Sequence, residues 1–318
     1  MSENRLLLMD TFFFLHRSFH AYPIDLKNSA GERTNILFGF AQSLLDSIME
    51  LSPTHIACGW ESEDQPSFRK VLFPQYQITR VSLPDEEEEI FGDQLPKVIE
   101  LIEAFNVPRL MVNGFEGDDV LGTAAALASK ESEVVISSAD QDLLQLVGRN
   151  ILVYRPARPP YIKKQLFDEE EFVKKYGFNP VQMIDYKALR GDPSDNIPGV
   201  KGIGDKTAKS LIEKFGSLEN IYSHVDEVGS SSVREKLEKD RENAFLSKQL
   251  ATIITNIPME FNLDACQVHD FEVEKVRELF KRFEFKSLMK RLDHLELIGR
   301  PRREEMKKSK ENKQQSLF

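Results

Sequence analysis

Apolar residues recur along this chain in two different patterns. Short, bounded apolar runs at Leu6–Met9, His55–Gly59 and Val134–Ile136 have the length and composition of buried strands. Between them, Ile36–Met49 carries apolar residues at 37, 38, 41, 44, 45 and 48, the spacing of one helix face. Leu95–Phe105 and Val120–Ala128 have helical patterns too. Strands alternating with helices predict an α/β fold with a mostly parallel sheet, whose sites form at the carboxyl ends of strands. From residue 179 to about 265 the pattern changes to helices joined by Gly/Pro turns. Residues 266–298 hold a closing pair of amphipathic helices. In the tail, 299–318, the stretch 301–313 has almost no apolar residues and is expected to be disordered.

Composition narrows the picture. The 318 residues, 41% hydrophobic and 30% charged, suffice for one large or two modest domains. Cys58 and Cys266 stand far apart, so neither a disulfide framework nor a thiolate metal site is expected, and a reducing, cytoplasmic setting fits. No apolar run reaches membrane-spanning length. Leu6–Leu15 resembles a signal-peptide core, but Asp10 interrupts it and no small-residue cleavage site follows. The net charge of −10 counts mildly against a polyanionic partner. Carboxylates that hold metal are neutralised locally, however, and Gly299–Phe318 carries seven Lys/Arg against three Glu.

The acidic residues are where chemistry first shows. Asp10 closes the first apolar run; Glu116, Asp118 and Asp119 precede a helical stretch; Asp140 and Asp142 follow a strand-like run; Asp192 and Asp195 lie in a Gly/Pro turn. Each cluster adjoins residues that must be buried, and buried like charges repel unless a cation sits between them. Hard divalent ions with oxygen ligands meet that need, which makes a two-metal phosphoryl-transfer site the leading expectation. The six histidines show no ligand or triad spacing, Asp10-Thr11-Phe12 lacks the second aspartate of a haloacid-dehalogenase phosphatase, and no P-loop occurs. Phe12, Phe13, Phe14 and Phe19 are read as core more readily than as base-stacking residues.

The stretch from Ile197 to Ile212 adds a glycine-rich hairpin. Gly199, Gly202 and Gly204 permit a tight turn with close backbone approach, and a helix opens near Thr207. Amides of Val200, Lys201 and Ile203 together with Lys201, Lys206 and Lys209 would meet a phosphate without reading sequence. Arg17, Arg69, Lys187 and Arg190 flank the acidic clusters and are further candidates for phosphate contact.

In order along the chain, Met9-Asp10, Pro66-Ser67-Phe68-Arg69, Gly114-Phe115-Glu116-Gly117-Asp118-Asp119, Ser138 to Leu146 and Gly191 to Val200 resemble the bacterial 5′-nuclease family. That family comprises the N-terminal nuclease domain of DNA polymerase I, its free-standing relatives and, more distantly, the flap endonucleases. The resemblance spans roughly residues 5–292. It implies a PIN-like core over 1–178 with a helical arch at about 73–100, and a helix-three-turn-helix subdomain over 179–265. It also implies ligation of two Mg²⁺ or Mn²⁺ ions by Asp10, Glu116, Asp118, Asp119, Asp140, Asp142, Asp192 and Asp195, with K⁺ at the hairpin. Asp118, Asp119 and Asp140 are assigned the tighter ion, and Asp142, Asp192 and Asp195 the second. The implied activity is 5′-3′ exonucleolytic and flap-endonucleolytic hydrolysis of branched or 5′-ended DNA in primer or flap removal. Because the chain stops soon after this homology, no polymerase region is expected.

Three positions depart from the family pattern. Trp60-Glu61 stands where Phe-Asp is common, leaving Glu61 as a longer carboxylate ligand. Tyr76-Gln77 replaces Tyr-Lys in the arch, leaving Arg80 as the catalytic cation there, and Gln141 replaces a lysine. Lost donors near developing negative charge are commonly worth ~3–4 kcal/mol, so a weakened, DNA-junction-binding protein is the competing reading. An RNase of the wider PIN group is a third, disfavoured by the hairpin. The last residues, Gln314 to Phe318, resemble the bacterial sliding-clamp-binding peptide: Gln314 with Leu317 and Phe318 as apolar anchors on a polar tether. Deleting 314–318 is expected to abolish capture on an immobilised sliding clamp while leaving nuclease activity in solution intact. Undiminished capture would dismiss the peptide.

Overall fold

Leu6, Leu7, Leu8 and Met9 are all completely buried, which explains why a run without polar alternation forms a strand: both of its faces are covered. The computed structural model describes residues 4–62, 64–80, 83–158, 160 and 162–297; the tail with Gln314, Leu317 and Phe318 lies outside the described residues. The elements run β1 (Arg5–Asp10), α1 (Thr11–Ala21), α2 (Asn35–Leu51), β2 (His55–Gly59), α3 (Phe68–Leu72), α4 (Asp85–Gly92), α5 (Leu95–Ala104), β3 (Arg109–Leu110), α6 (Gly117–Ala128), β4 (Glu133–Ser137), β5 (Ile151–Arg155) and β6 (Gln165–Phe167). There follow α7 (Glu169–Tyr176), α8 (Met183–Arg190), α9 (Asp205–Phe215), α10 (Leu218–Ser223), α11 (Ser231–Lys239), α12 (Arg241–Ala251) and α13 (Val273–Arg282). A last helical stretch covers 286–297.

The chain divides into two compact units that are not contiguous in sequence. One consists of residues 59–82 and 111–260; the other of residues up to 58, 83–110 and 261 onward. In the second unit β3, β2 and β1 lie side by side in that order. There α1 and α2 cross in direct contact: a Cβ on Gly39 would sit 2.6 Å from Ser18 Cβ. Phe14 and Phe19 of α1 are buried, so these two rings are core.

In the first unit β4 runs parallel to β5, with Val134 opposite Ile151 and Ile136 opposite Val153. β6 closes that edge antiparallel, Val153 facing Phe167. The apolar pattern anticipates β1, β2 and β4 but not β3, β5 or β6. β3 and β6 are two and three residues long, too short for a periodic signal. In β5 the run Ile-Leu-Val-Tyr-Arg is only partly buried.

α6 begins with a reciprocal capping box between Glu116 and Asp119. Asp119 then does more. It is 0% exposed, and its Oδ2 and Oδ1 accept from Arg69 Nη1 at 2.7 Å and Nη2 at 2.8 Å. Oδ1 also accepts from the Ile254 amide and Oδ2 from the Glu116 amide. Four donors thus fill the acceptor capacity of one carboxylate. Arg69, 2% exposed, donates further to the carbonyls of Leu250 and Thr252. Gln145 spans the same segment, donating to Ala251 O and accepting from the Ile253 amide. An irregular stretch therefore has its polar groups satisfied by side chains from α3, α6 and the short 3₁₀ helix at Asp142–Leu146.

Two expectations change here. Arg69 does not face nucleic acid, and Asp119 has no lone pair left for a metal ion; each is committed to the other inside the core. Replacing Arg69 by Met should therefore destabilise the protein by about 3–5 kcal/mol, the usual cost of stranding a buried charge. Lysine should fail to restore it, because the pair is bidentate. Chemical denaturation of both variants checks this; a stable variant with weakened DNA binding alone would speak for the surface role instead.

Candidate active site

The loop after α8 carries two of the acidic residues, and its shape follows from two glycines. Gly191 and Gly199 have φ of +75° and +62°, and a Cβ on Gly199 would lie 2.3 Å from the Gly191 amide nitrogen. The Asp192 amide donates to Ile197 O at 2.9 Å and the Ile197 amide to Asp192 O at 2.8 Å. This pinched loop turns Asp192 and Asp195 to one side, where Asp142 meets them. One carboxylate oxygen from each of the three lies within 4.8 Å of the others. Among the described residues this is the group of that kind. The donor set is all carboxylate oxygen, which suits a hard divalent cation.

Cations of the protein's own are already paired with these carboxylates. The Lys187 ammonium, from the last turn of α8, donates to Asp142 Oδ1 and, at 2.7 Å, to Asp192 Oδ2. Lys187 is 6% exposed, a buried lysine lodged between two carboxylate partners. Asp192 Oδ1 accepts from the Ser194 amide and hydroxyl. Burial alone would raise the Asp192 pKa; Lys187 and Ser194 outweigh it and hold the carboxyl below its usual range. Arg80 donates to Asp195 Oδ1 through Nε at 3.0 Å and Nη2 at 2.7 Å. Asp140 is exposed at the surface, yet the protein packed around its carboxyl raises its pKa by desolvation, against the pull of Lys187 and Arg80. Asp140 Oδ1 accepts the Asp142 amide at 2.8 Å, which fixes the start of the 3₁₀ turn.

The segment leading to Arg80 is fastened to the same loop. The Gln77 amide donates to Asp195 O, Asn196 Nδ2 to Gln75 O and Thr79 Oγ1 to Pro193 O. Gln77 and Asn196 both adopt positive φ, 59° and 55°, a conformation such side chains reach when surrounding bonds hold it. Nearby, Glu116 accepts from Ser67 Oγ at 2.7 Å and from the buried Tyr76 hydroxyl at 3.2 Å. Burial and the Glu116 charge keep that phenol neutral.

Of the expected ligands, Asp142, Asp192 and Asp195 are brought together. Asp118 is half-buried in the first turn of α6 and Glu61 is exposed after β2; the trio Asp118, Asp119 and Asp140 is not among the grouped carboxylates. Asp10 belongs to the second unit, where it ends β1 and caps α1 by accepting the Phe13 amide; Arg17 lies on that helix. Lys187, read from the sequence as a flanking phosphate contact, is instead lodged among the carboxylates. Its one sequence signal is a lysine one helical turn ahead of an acidic Gly/Pro turn.

The hairpin is likewise more self-contained than its glycines imply. The Gly199 amide donates to buried Ser247 Oγ, Lys201 N to Asp240 Oδ2, Val200 N to Leu189 O and Ile203 N to Val200 O. Those four amides face the protein. Val200 and Ile203 are buried, and Lys209 pairs with Asp205 at 3.1 Å. Facing outward are Gly202, Gly204, Lys206 and the first turn of α9, whose amides have no helical carbonyl to meet.

Comparison with known proteins matches this architecture throughout. Residues 5–177 fit the family model of the 5′-3′ exonuclease N-terminal resolvase-like domain, and 178–274 that of the 5′-3′ exonuclease C-terminal SAM fold. DNA polymerase I of Caldicellulosiruptor bescii is 36% identical over 297 residues, 92% of this chain and 34% of that protein. The chain thus spans about a third of the length of such relatives. The bacteriophage T5 5′-exonuclease, solved with divalent zinc ions, superposes with a TM-score of 0.65 at 20% identity, covering 87% of this chain and 99% of the other. The catalytic core of Rad2 in complex with DNA substrate gives 0.58 at 15% identity and covers 92% of each chain; both likenesses establish the fold. With the N-terminal and C-terminal domain models of the 5′-3′ exonucleases matched in succession from residue 5 to 274, the chain belongs to the 5′-3′ exonuclease family.

Proposed function

We propose that this protein is a metal-dependent, structure-selective 5′ nuclease that hydrolyses phosphodiester bonds of branched or 5′-ended DNA, as in primer or flap removal. The observation that carries the proposal is the convergence of Asp142, Asp192 and Asp195 within 4.8 Å beside basic side chains. These three carboxylates would hold Mg²⁺ or Mn²⁺. Such an ion supplies Lewis acidity toward a phosphoryl oxygen and lowers the pKa of water.

The remaining work falls to the chain's own groups. Arg80, whose side chain is 57% exposed, is within reach of a phosphate lying over the carboxylates. Gly202, Gly204, Lys206 and the α9 amides would hold a second phosphate by backbone and charge alone, which selects shape over sequence. Glu116, steadied by Ser67 and Tyr76, adds negative potential at the α6 N-terminus, where a helix end tolerates it. The departures at Gln77 and Gln141 remove two lysines, but Lys187 and Arg80 keep two cations at the carboxylates, which supports an active enzyme over a binding-only protein.

A labelled 5′-flap DNA, a matched RNA and a plain duplex, each with Mg²⁺, Mn²⁺ or chelator, test the activity. Metal-dependent cutting of the flap is expected; binding without cutting, or cutting of RNA alone, would replace this reading. Asp192→Asn should lower flap cleavage by more than the ~10–100-fold typical of groups that merely orient metal ligands, while flap binding in gel shifts persists.

The raised Asp140 carboxyl makes a separate prediction about stability. A carboxyl whose folded pKa is raised favours the fold when protonated and costs stability once ionised. In chelator at pH 7, Asp140→Asn should therefore melt higher than the parent protein, and the gap should close as pH falls toward ~4, the ordinary carboxylate range. An unchanged or lower melting temperature at pH 7 would show that desolvation is not what Asp140 contends with.

A further inference from the structure

Asp192 is engaged from within: the Ser194 amide and hydroxyl donate to Oδ1 and Lys187 donates to Oδ2. Asp142 gives Oδ1 to the same ammonium, and Asp195 gives Oδ1 to two nitrogens of Arg80. Every carboxylate of the group is thus already neutralised by a side chain of this protein. An ammonium and a divalent cation sharing one carboxylate oxygen would stand at contact distance and repel. On these oxygens the two sets of cations compete. Both side chains can leave: Lys187 sits on a flexible four-carbon stem, and Arg80 is more than half exposed.

We propose that Lys187 and Arg80 are place-holding counter-ions, which hold Asp142, Asp192 and Asp195 together in the metal-free protein and exchange for an incoming divalent cation. This rests on the metal site proposed above. Once released, the two cations sit at the rim of a newly positive site and turn to the phosphate of the substrate. The protein trades an internal counter-ion for an external one. Metal binding and nucleic-acid binding become coupled, and by linkage each strengthens the other. The clamp from Gln75, Gln77 and Thr79 to the 193–196 loop keeps Arg80 beside the site after it lets go of Asp195, so the exchange needs a rotamer change and no refolding.

The test is calorimetric titration of Mn²⁺ into the chelator-stripped, DNA-free protein, comparing the parent with Lys187→Met, Arg80→Gln and Asp192→Asn. With their internal competitor gone, Lys187→Met and Arg80→Gln should bind Mn²⁺ tighter by roughly fivefold or more, the lower range of typical coupling. Asp192→Asn should bind it more weakly. Fluorescence anisotropy with 5′-flap DNA supplies the second readout. Adding Ca²⁺ should tighten flap binding by the parent, and Lys187→Met should lose most of that gain. Unchanged or weaker Mn²⁺ binding in both cation variants, with Asp192→Asn impaired, would overturn the exchange and leave the metal site standing. Indifference of all three variants would remove the metal site and the exchange with it. If Lys187→Met does not fold in chelator, Arg80→Gln decides alone.

Discussion

The bidentate pair between Arg69 and Asp119 is the constraint on which the rest of the first unit depends. Segment 250–257 has no regular structure beyond the end of α12, so its carbonyls and amides need partners from elsewhere. Arg69 takes Leu250 O and Thr252 O; Asp119 takes the Ile254 amide; Gln145 and Thr123 take most of what remains. The hub joins α3, α6 and the 3₁₀ turn that begins at Asp142. Glu116 is fixed because it caps the helix that Asp119 anchors. Asp142 is fixed because Gln145, one turn on, is pinned to the same segment.

Around that hub the molecule solves an electrostatic problem in two different ways. Deep inside, charge is neutralised within the core: the Arg69–Asp119 geometry leaves the carboxylate no free acceptor and buries both partners. At the acidic group, under the exchange proposed above, neutralisation is provisional: Lys187, on a flexible stem, and the more exposed Arg80 pair with Asp142, Asp192 and Asp195, whose carboxylates converge. Acidic residues adjacent in sequence therefore have different fates. Asp118 and Asp119 are neighbours, yet Asp119 belongs to the core and Asp118 to the first helical turn above it.

The hairpin between α8 and α9 shows the same economy in the backbone. Its glycines are needed, but less to admit a ligand than to let the chain touch itself, as at Gly191 and Gly199. Ser247 and Asp240, contributed by α12 and the turn before it, consume amides that a sequence reading assigns to phosphate. What is left outward is smaller and more sharply placed: the Gly202–Gly204 turn, Lys206 and the start of α9.

Much of this was legible from residue order alone. Unbroken apolar runs mark strands covered on both faces, so β1, β2 and β4 declare themselves, and the helical second half follows from its 3.6-residue spacing and Gly/Pro stops. The acidic clusters and the family motifs point to the same chemistry because a like-charged, apolar-flanked set needs a cation wherever it is found. The strands β3 and β6, two and three residues long, are formed by neighbours, and no local pattern encodes them. Which carboxylate binds outward and which is spent inward is also non-local. Arg69 and Asp119 are 50 residues apart, and Lys187 and Asp142 45; a sequence shows that each can be charged, but partnership is settled by which donor the packed chain brings within hydrogen-bond range.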